Sequence, residues 1–169
     1  LGIIRNHYVG RTFIEPTQQI RNLGVKLKHN ANAHFLDGKR VVLIDDSIVR
    51  GTTSIKIVDM VRAAGATEVH MCVSSPPITN PCFYGIDTPE REELMAHHHD
   101  HDSMCKVIGV DSLNFISFDG LYRAVGEERR NMEDPQFCDA CFSGDYPIRL
   151  SDLENGSAPK QLSLLKTRD

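Results

Sequence analysis

Hydrophobic and polar positions along this chain follow two different periods. Val41-Val42-Leu43-Ile44 is an unbroken apolar run, the pattern of a strand buried on both faces of a parallel sheet. From Thr52 to Ala64 the spacing turns helical, with Ile57, Val58, Val61 and Ala64 on one face and Gly65 as a stop signal. Val69 to Val73 reads as a second apolar strand. Strand, helix and strand within about 33 residues make a βαβ unit, expected to cross over right-handedly into a parallel sheet.

Either side of this unit the pattern is weaker. Residues 5–17 mix cations, aromatics and Gly10 without a period and read as a loop, while residues 25–29 alternate apolar and basic as in a half-exposed strand. Residues 75–89 are a Pro-punctuated connection. Helical patterns follow at 90–97 and 102–109, then a short strand at 113–117 and a helix at about 119–130. The division expected is residues 1–130 as an α/β part and 131–169 as a cysteine-containing extension and tail, with 155–169 unstructured or loosely docked.

Composition narrows the setting. The 169 residues are 40% hydrophobic with a formal charge of −4, enough for a single core and against bulk nucleic-acid affinity, which needs a basic face. No apolar run approaches a membrane span of roughly 20 residues. Five cysteines without a secretory signal favour a reducing, cytoplasmic compartment. The chain opens at Leu1 rather than at methionine, so the expectation is that N-terminal parts precede it.

The chemistry lies where the first strand ends. Two adjacent carboxylates, Asp45 and Asp46, are followed by Ser47, Ile48, Val49, Arg50, Gly51, Thr52 and Thr53, a loop that opens the helix. Loop N–H groups and a helix N-terminus make an anion site suited to a phosphate monoester. Gly51 lets the backbone approach the anion, and Ser47, Thr52 and Thr53 add hydroxyl donors. Arg50 either adds charge there or points to solvent. The carboxylates repel that phosphate; they suit vicinal hydroxyls, or a hard cation such as Mg²⁺. A ligand with a phosphate, a diol and a Mg-bound pyrophosphate fits these parts, beyond the carboxyl end of a parallel strand.

Val41 to Thr53 resembles the thirteen-residue signature of type I phosphoribosyltransferases. The resemblance implies that fold, a parallel sheet flanked by helices, present here as a partial domain. It further implies that Asp45 and Asp46 contact the ribose and Mg²⁺ and that Ser47 to Thr53 hold the 5-phosphate of phosphoribosyl pyrophosphate. Two flanking blocks, RNHYVGRTFI at 5–14 and PPITNPCFYGID at 76–87, together with the late CDACFSGDYP, resemble the iron–sulfur-containing glutamine phosphoribosylpyrophosphate amidotransferases, which open purine synthesis. The implied reaction is attack of ammonia on C1 of the ribose as pyrophosphate leaves. Arg5, Tyr8 and Arg11 then belong to a lid loop that closes over the donor, and His7, where many relatives carry Arg, makes that loop's charge pH-dependent. The implied partners are an N-terminal glutaminase domain and further copies of the chain, with no nucleic acid and no membrane. The early sheet strand, the pyrophosphate loop and the glutaminase are expected upstream, so this segment alone is expected not to use glutamine and to fold poorly.

Cys138-x-x-Cys141 has metal-ligand spacing, open by itself to zinc, redox chemistry or an iron–sulfur site. The resemblance assigns Cys82, Cys138 and Cys141 to a structural 4Fe–4S cluster whose fourth ligand lies upstream. Cys72 and Cys105 read as buried apolar residues. The run His97 to Asp102 reads as a helix end and a turn with a solvated surface, since three consecutive side chains cannot face one point. Lys26, Lys28 and Arg40 are either part of a phosphate-rich neighbourhood or plain strand surface. The competing function is a non-catalytic module that senses phosphoribosyl pyrophosphate; it requires a DNA-binding domain, and nothing basic or helix-turn-helix-like stands in this sequence.

Overall fold

Three parallel strands organise the chain, in a computed structural model that describes residues 1–6, 8 and 29–148. Strands β3 (Arg40–Asp45), β4 (Glu68–Val73) and β5 (Ser112–Phe115) lie side by side in that order. Val41 pairs with Val69, Asp45 with Val73, and Val73 with Phe115. Two shorter strands, β1 (Ile3–Arg5) and β2 (His29–Ala31), form a separate antiparallel pair. Helix α1 (Ala33–Leu36) follows, capped by the Asn32 side chain, which accepts from the His34 N–H at 3.2 Å.

Helix α2 (Thr52–Ala63) connects β3 to β4, and α4 (His101–Ile108) leads into β5. Alternation places Val41, Leu43, Val69, Met71, Val73, Leu113 and Phe115 on one sheet face, and Val58, Val61, Met104 and Ile108 complete the core with them. Each fully buried side chain of this kind contributes about 1.5–3 kcal/mol relative to exposure, so the helix-covered face carries most of the stability. Gly65 stops α2 at φ +97°, and a Cβ there would stand 2.3 Å from Asp37 Oδ1.

The other face differs from expectation. Val42 is 61% exposed and Ile44 is 80% exposed. Among the described residues β3 is an edge strand and the helices cover one side only, so its apolar run is not buried on both faces. Cys72 shares that open face and is half-buried; Cys105 is also half-buried, its thiol donating to the Val110 carbonyl at 3.3 Å. Neither is the fully buried residue expected.

Other boundaries shift for local reasons. The helix expected at 90–97 is a 3₁₀ turn, Arg91–Glu93, then α3 (Met95–His98), because Leu94 is extended between them. Asp100 accepts from the Ser103 N–H at 2.8 Å and so starts α4 afresh. The histidine run therefore straddles a helix end and a new helix start. Ser117 caps α5 (Phe118–Ala124), ending β5 early. Gly126, at φ +98°, marks the turn that ends α5 well short of residue 130. A short helix α6 (Ala140–Ser143) carries the second cysteine of the CxxC pair. Arg5 belongs to β1 rather than to a loop, and the remainder of the 5–17 reading, apart from residues 6 and 8, lies outside the described residues, as do 25–28 and 155–169.

Candidate functional site

The acidic pair and the loop occupy the carboxyl end of β3. Asp45 closes the strand, and the Asp46 N–H donates to its Oδ1 at 3.0 Å. Ser47 Oγ donates to Asp46 Oδ1 at 3.3 Å. Ser74, just past the end of β4, donates its N–H and its hydroxyl to the Asp45 carbonyl at 2.9 and 3.0 Å. The neighbouring Ser75 hydroxyl is buried without a partner among the described residues. Partial burial pushes the Asp45 carboxyl above its ordinary value; the Asp46 N–H opposes this and the Asp46 charge adds to it.

Gly51 caps α2 in the left-handed region, φ +73°, where L side chains are strained. It offers no side chain to the first-turn N–H groups, which leaves the positive end of a twelve-residue helix aimed at the loop. Ile48 and Ser54 are buried at 3% and 2% exposure, pinning the loop at both ends. Arg50 Nε donates to Glu93 Oε2 at 2.8 Å, which settles that side chain against the protein rather than in solvent. The Met95 N–H donates to the Val49 carbonyl at 2.8 Å, and a Cβ on Gly51 would stand 2.4 Å from Met95 Sδ. Sequence spacing gave no hint that Glu93 or Met95 meets the loop, because they lie about forty residues downstream and a helical pattern does not say what it packs against.

The remaining predicted residues are dispersed. Arg5 and Tyr8 are exposed, while His7, Arg11, Lys26 and Lys28 lie outside the described residues. Arg40 stands at the opposite end of β3 and pairs with Glu68 at 2.6 Å, so it is strand surface and not part of the loop's neighbourhood.

Cysteines 82, 138 and 141 are brought together by two segments far apart in sequence. The Cys141 carbonyl accepts from the N–H groups of Thr79 and Asn80, both at 3.0 Å, and Tyr146 Oη donates to the Pro81 carbonyl at 2.7 Å. Burial raises the Cys141 thiol above its ordinary value, and the nearby Cys82 and Cys138 raise it further. Beside it Asp139, 5% exposed, accepts from Tyr122 Oη at 2.7 Å, from Ser143 Oγ at 2.7 Å, and from both Nε and Nη2 of Arg130. Burial works to raise Asp139; the hydrogen bonds from Tyr122, Ser143 and Arg130 outweigh it and hold the carboxyl below its ordinary range. Among the described residues no three His, Cys, Asp or Glu side chains converge on a point that would hold a single metal ion. The three thiols are neighbours without a common centre.

The chain is 64% identical over 165 residues, 97% of its length, to the amidophosphoribosyltransferase of Rhizobium etli, of which it covers 33%. It is 53% identical over 150 residues to the amidophosphoribosyltransferase of Bacillus subtilis, covering 89% of this chain and 31% of that protein. Among solved structures, a glutamine phosphoribosylpyrophosphate amidotransferase from B. subtilis complexed with ADP and GMP superposes with a TM-score of 0.73 at 52% identity, over 88% of this chain and 32% of the other. A second, described as the allosteric regulatory enzyme of purine biosynthesis, gives a TM-score of 0.71 at 54% identity, over 88% of this chain and 32% of that one. No family model matches. The chain spans about a third of the length of the curated relatives it matches.

Proposed function

We propose, for a chain that belongs with the amidophosphoribosyltransferases and spans about a third of their length, that it carries the donor-binding part of phosphoribosylamine synthesis in purine formation. Its α/β fold is a partial type I phosphoribosyltransferase fold. The observation that carries the proposal is the Asp45–Thr53 loop, placed at the carboxyl end of β3 with Gly51 opening the α2 N-terminus.

In this reading the loop N–H groups and the hydroxyls of Ser47, Thr52 and Thr53 hold the 5-phosphate of phosphoribosyl pyrophosphate, with Ile48, Val49, Arg50 and Gly51 shaping the turn. Asp45 and Asp46 accept the ribose hydroxyls. The same two carboxylates fit Mg²⁺, a hard cation that takes one or two carboxylates plus substrate phosphates and neutralises the leaving pyrophosphate. Arg5, Tyr8 and Arg11 close over the donor and shut out water. Ammonia attacks C1 as pyrophosphate departs, through a transition state with oxocarbenium character. No protein nucleophile is required, so positioning and charge stabilisation supply the rate.

The proposal extends to an N-terminal glutaminase domain that supplies the ammonia, a homo-oligomer, a cytoplasmic location and a 4Fe–4S cluster on Cys82, Cys138 and Cys141 with a fourth thiolate from elsewhere. Among the described residues no helix is long and apolar enough to cross a membrane. The sensing-module alternative is disfavoured, since the relatives are named as transferases.

The test uses the full-length protein, supplied with phosphoribosyl pyrophosphate, Mg²⁺ and ammonium. Asp45→Asn combined with Asp46→Asn is expected to lower kcat/KM by about a hundredfold or more, with an unchanged circular dichroism spectrum. Activity surviving in that double variant overturns the site assignment.

A further inference from the structure

The phosphate loop is not held by its own residues alone. Its outer side rests on the Arg91–His98 segment, which arrives from beyond β4. Three contacts fasten the two together. The Met95 N–H donates to the Val49 carbonyl at 2.8 Å. Glu93 Oε2 accepts from Arg50 Nε at 2.8 Å. The Met95 thioether, in a side chain 5% exposed, fills the space where Gly51 has no Cβ, and Sδ would lie 2.4 Å from one. Leu94 is fully buried, and Met95 joins the segment to the core cluster.

We infer that Glu93 and Met95 are positioning residues for the 5-phosphate, a claim that rests on the donor-binding reading above. Neither is placed to touch the ligand; each acts through the loop. Met95 meets Gly51, the residue whose left-handed conformation turns the chain into α2, so it sets how deeply the loop sits over the helix N-terminus. Glu93 draws the Arg50 guanidinium to the side of the loop. That pairing keeps a long flexible cation out of the concavity and leaves the anion to the backbone N–H groups. A loop of small residues ordered by a neighbouring segment loses little entropy on binding, which is the benefit of preorganisation.

Glu93 gives the cleaner test because its side chain is half exposed (51%), so its substitution leaves the core untouched. In the full-length protein, Glu93→Gln is expected to raise KM for phosphoribosyl pyrophosphate about two- to fivefold, the range of a partly exposed ion pair. The KM for ammonium, kcat and the thermal midpoint should stay as in the parent. In an Arg50→Ala background the same substitution should have a clearly smaller effect, since the Arg50 contact is removed from both proteins compared. Met95→Ala should raise the same KM more strongly, while Met95→Leu, close in volume, restores it to within about twofold. An unchanged or lowered KM in Glu93→Gln, or a full effect persisting without Arg50, overturns the positioning role. A parent protein that fails to bind phosphoribosyl pyrophosphate in calorimetry overturns the donor-binding reading instead, so the two failures are distinct.

Discussion

Asp45 and Asp139 are both withdrawn from water, yet their acidities move in opposite directions. Asp45, at the mouth of the Asp45–Thr53 loop, is pushed up by burial, with one backbone N–H to oppose it and a second carboxylate beside it. Asp139, beside the cysteine turn, is held down by Tyr122, Ser143 and Arg130 against a burial penalty of its own. One carboxylate is left under-satisfied at a surface where a ligand's hydroxyls or a cation would complete it. The other is already complete. Such a difference separates a group kept for binding from a group kept for architecture. It also explains why the two regions are built differently: the loop comes from contiguous residues, whereas the cysteine region needs a buried ion pair to hold segments together.

The largest break in that comparison is at Asp139. Asp139→Ala strands the Arg130 guanidinium, 21% exposed, with its two-pronged partner gone. Loss of one partner of a buried pair costs about 3–5 kcal/mol, although Asp145, 2.8 Å from Nη1, retains part of the charge balance and sets the expectation near the lower end. Denaturant unfolding of the full-length protein should show that loss. In full-length protein stripped of metal, labelling of Cys138 and Cys141 by a thiol reagent should quicken as the turn loosens, while phosphoribosyl pyrophosphate affinity changes little. Equal damage to both sites would show that the two regions are not independent.

What was legible in the sequence follows the same divide. The strand ending in Asp45 and Asp46, the loop and the helix from Thr52 were readable because their signals are local: a β-branched run, a glycine, then a helical period. The Arg130–Asp139 pair carried no such signal, since one arginine and one aspartate in a polar segment have no period to betray burial. The CxxC spacing drew attention to this turn but said nothing of what holds it. The exposed side of Val42 and Ile44 was misjudged for a related reason. An apolar run shows that a strand belongs in an interior, but not whether the described residues provide both covers. The β1–β2 pair, three residues to a strand, is too short for any period to show.

Acid sharpens the contrast more gently. A carboxylate with a depressed folded value contributes stability that is present above its unfolded value, here 3.8, and lost as pH falls through the folded one. Asp139 therefore makes the cysteine turn acid-labile below about pH 4. In metal-free protein, thiol labelling of Cys138 and Cys141 across pH 5 to pH 3, by an acid-tolerant reagent, should accelerate in the parent. In Asp139→Asn labelling should be faster throughout, with this acid-dependent step flattened. A parent step that survives unchanged in Asp139→Asn would place the titration elsewhere.

The smallest effect comes from Asp45, and its sign is reversed. A carboxylate with a raised folded value is penalised when ionised. The ligand-free protein therefore loses stability as pH rises from the unfolded value, 3.8, through the folded one. Asp45→Asn removes that penalty while keeping the side chain's size, so the ligand-free variant should melt slightly above the parent at neutral pH. The gap should close as pH falls toward 3.8. The same substitution should weaken phosphoribosyl pyrophosphate binding in the presence of Mg²⁺. Stability gained as binding is lost marks a residue kept at the expense of the fold. A variant that melts below the parent at neutral pH would instead make Asp45 a structural carboxylate, and would erase its contrast with Asp139.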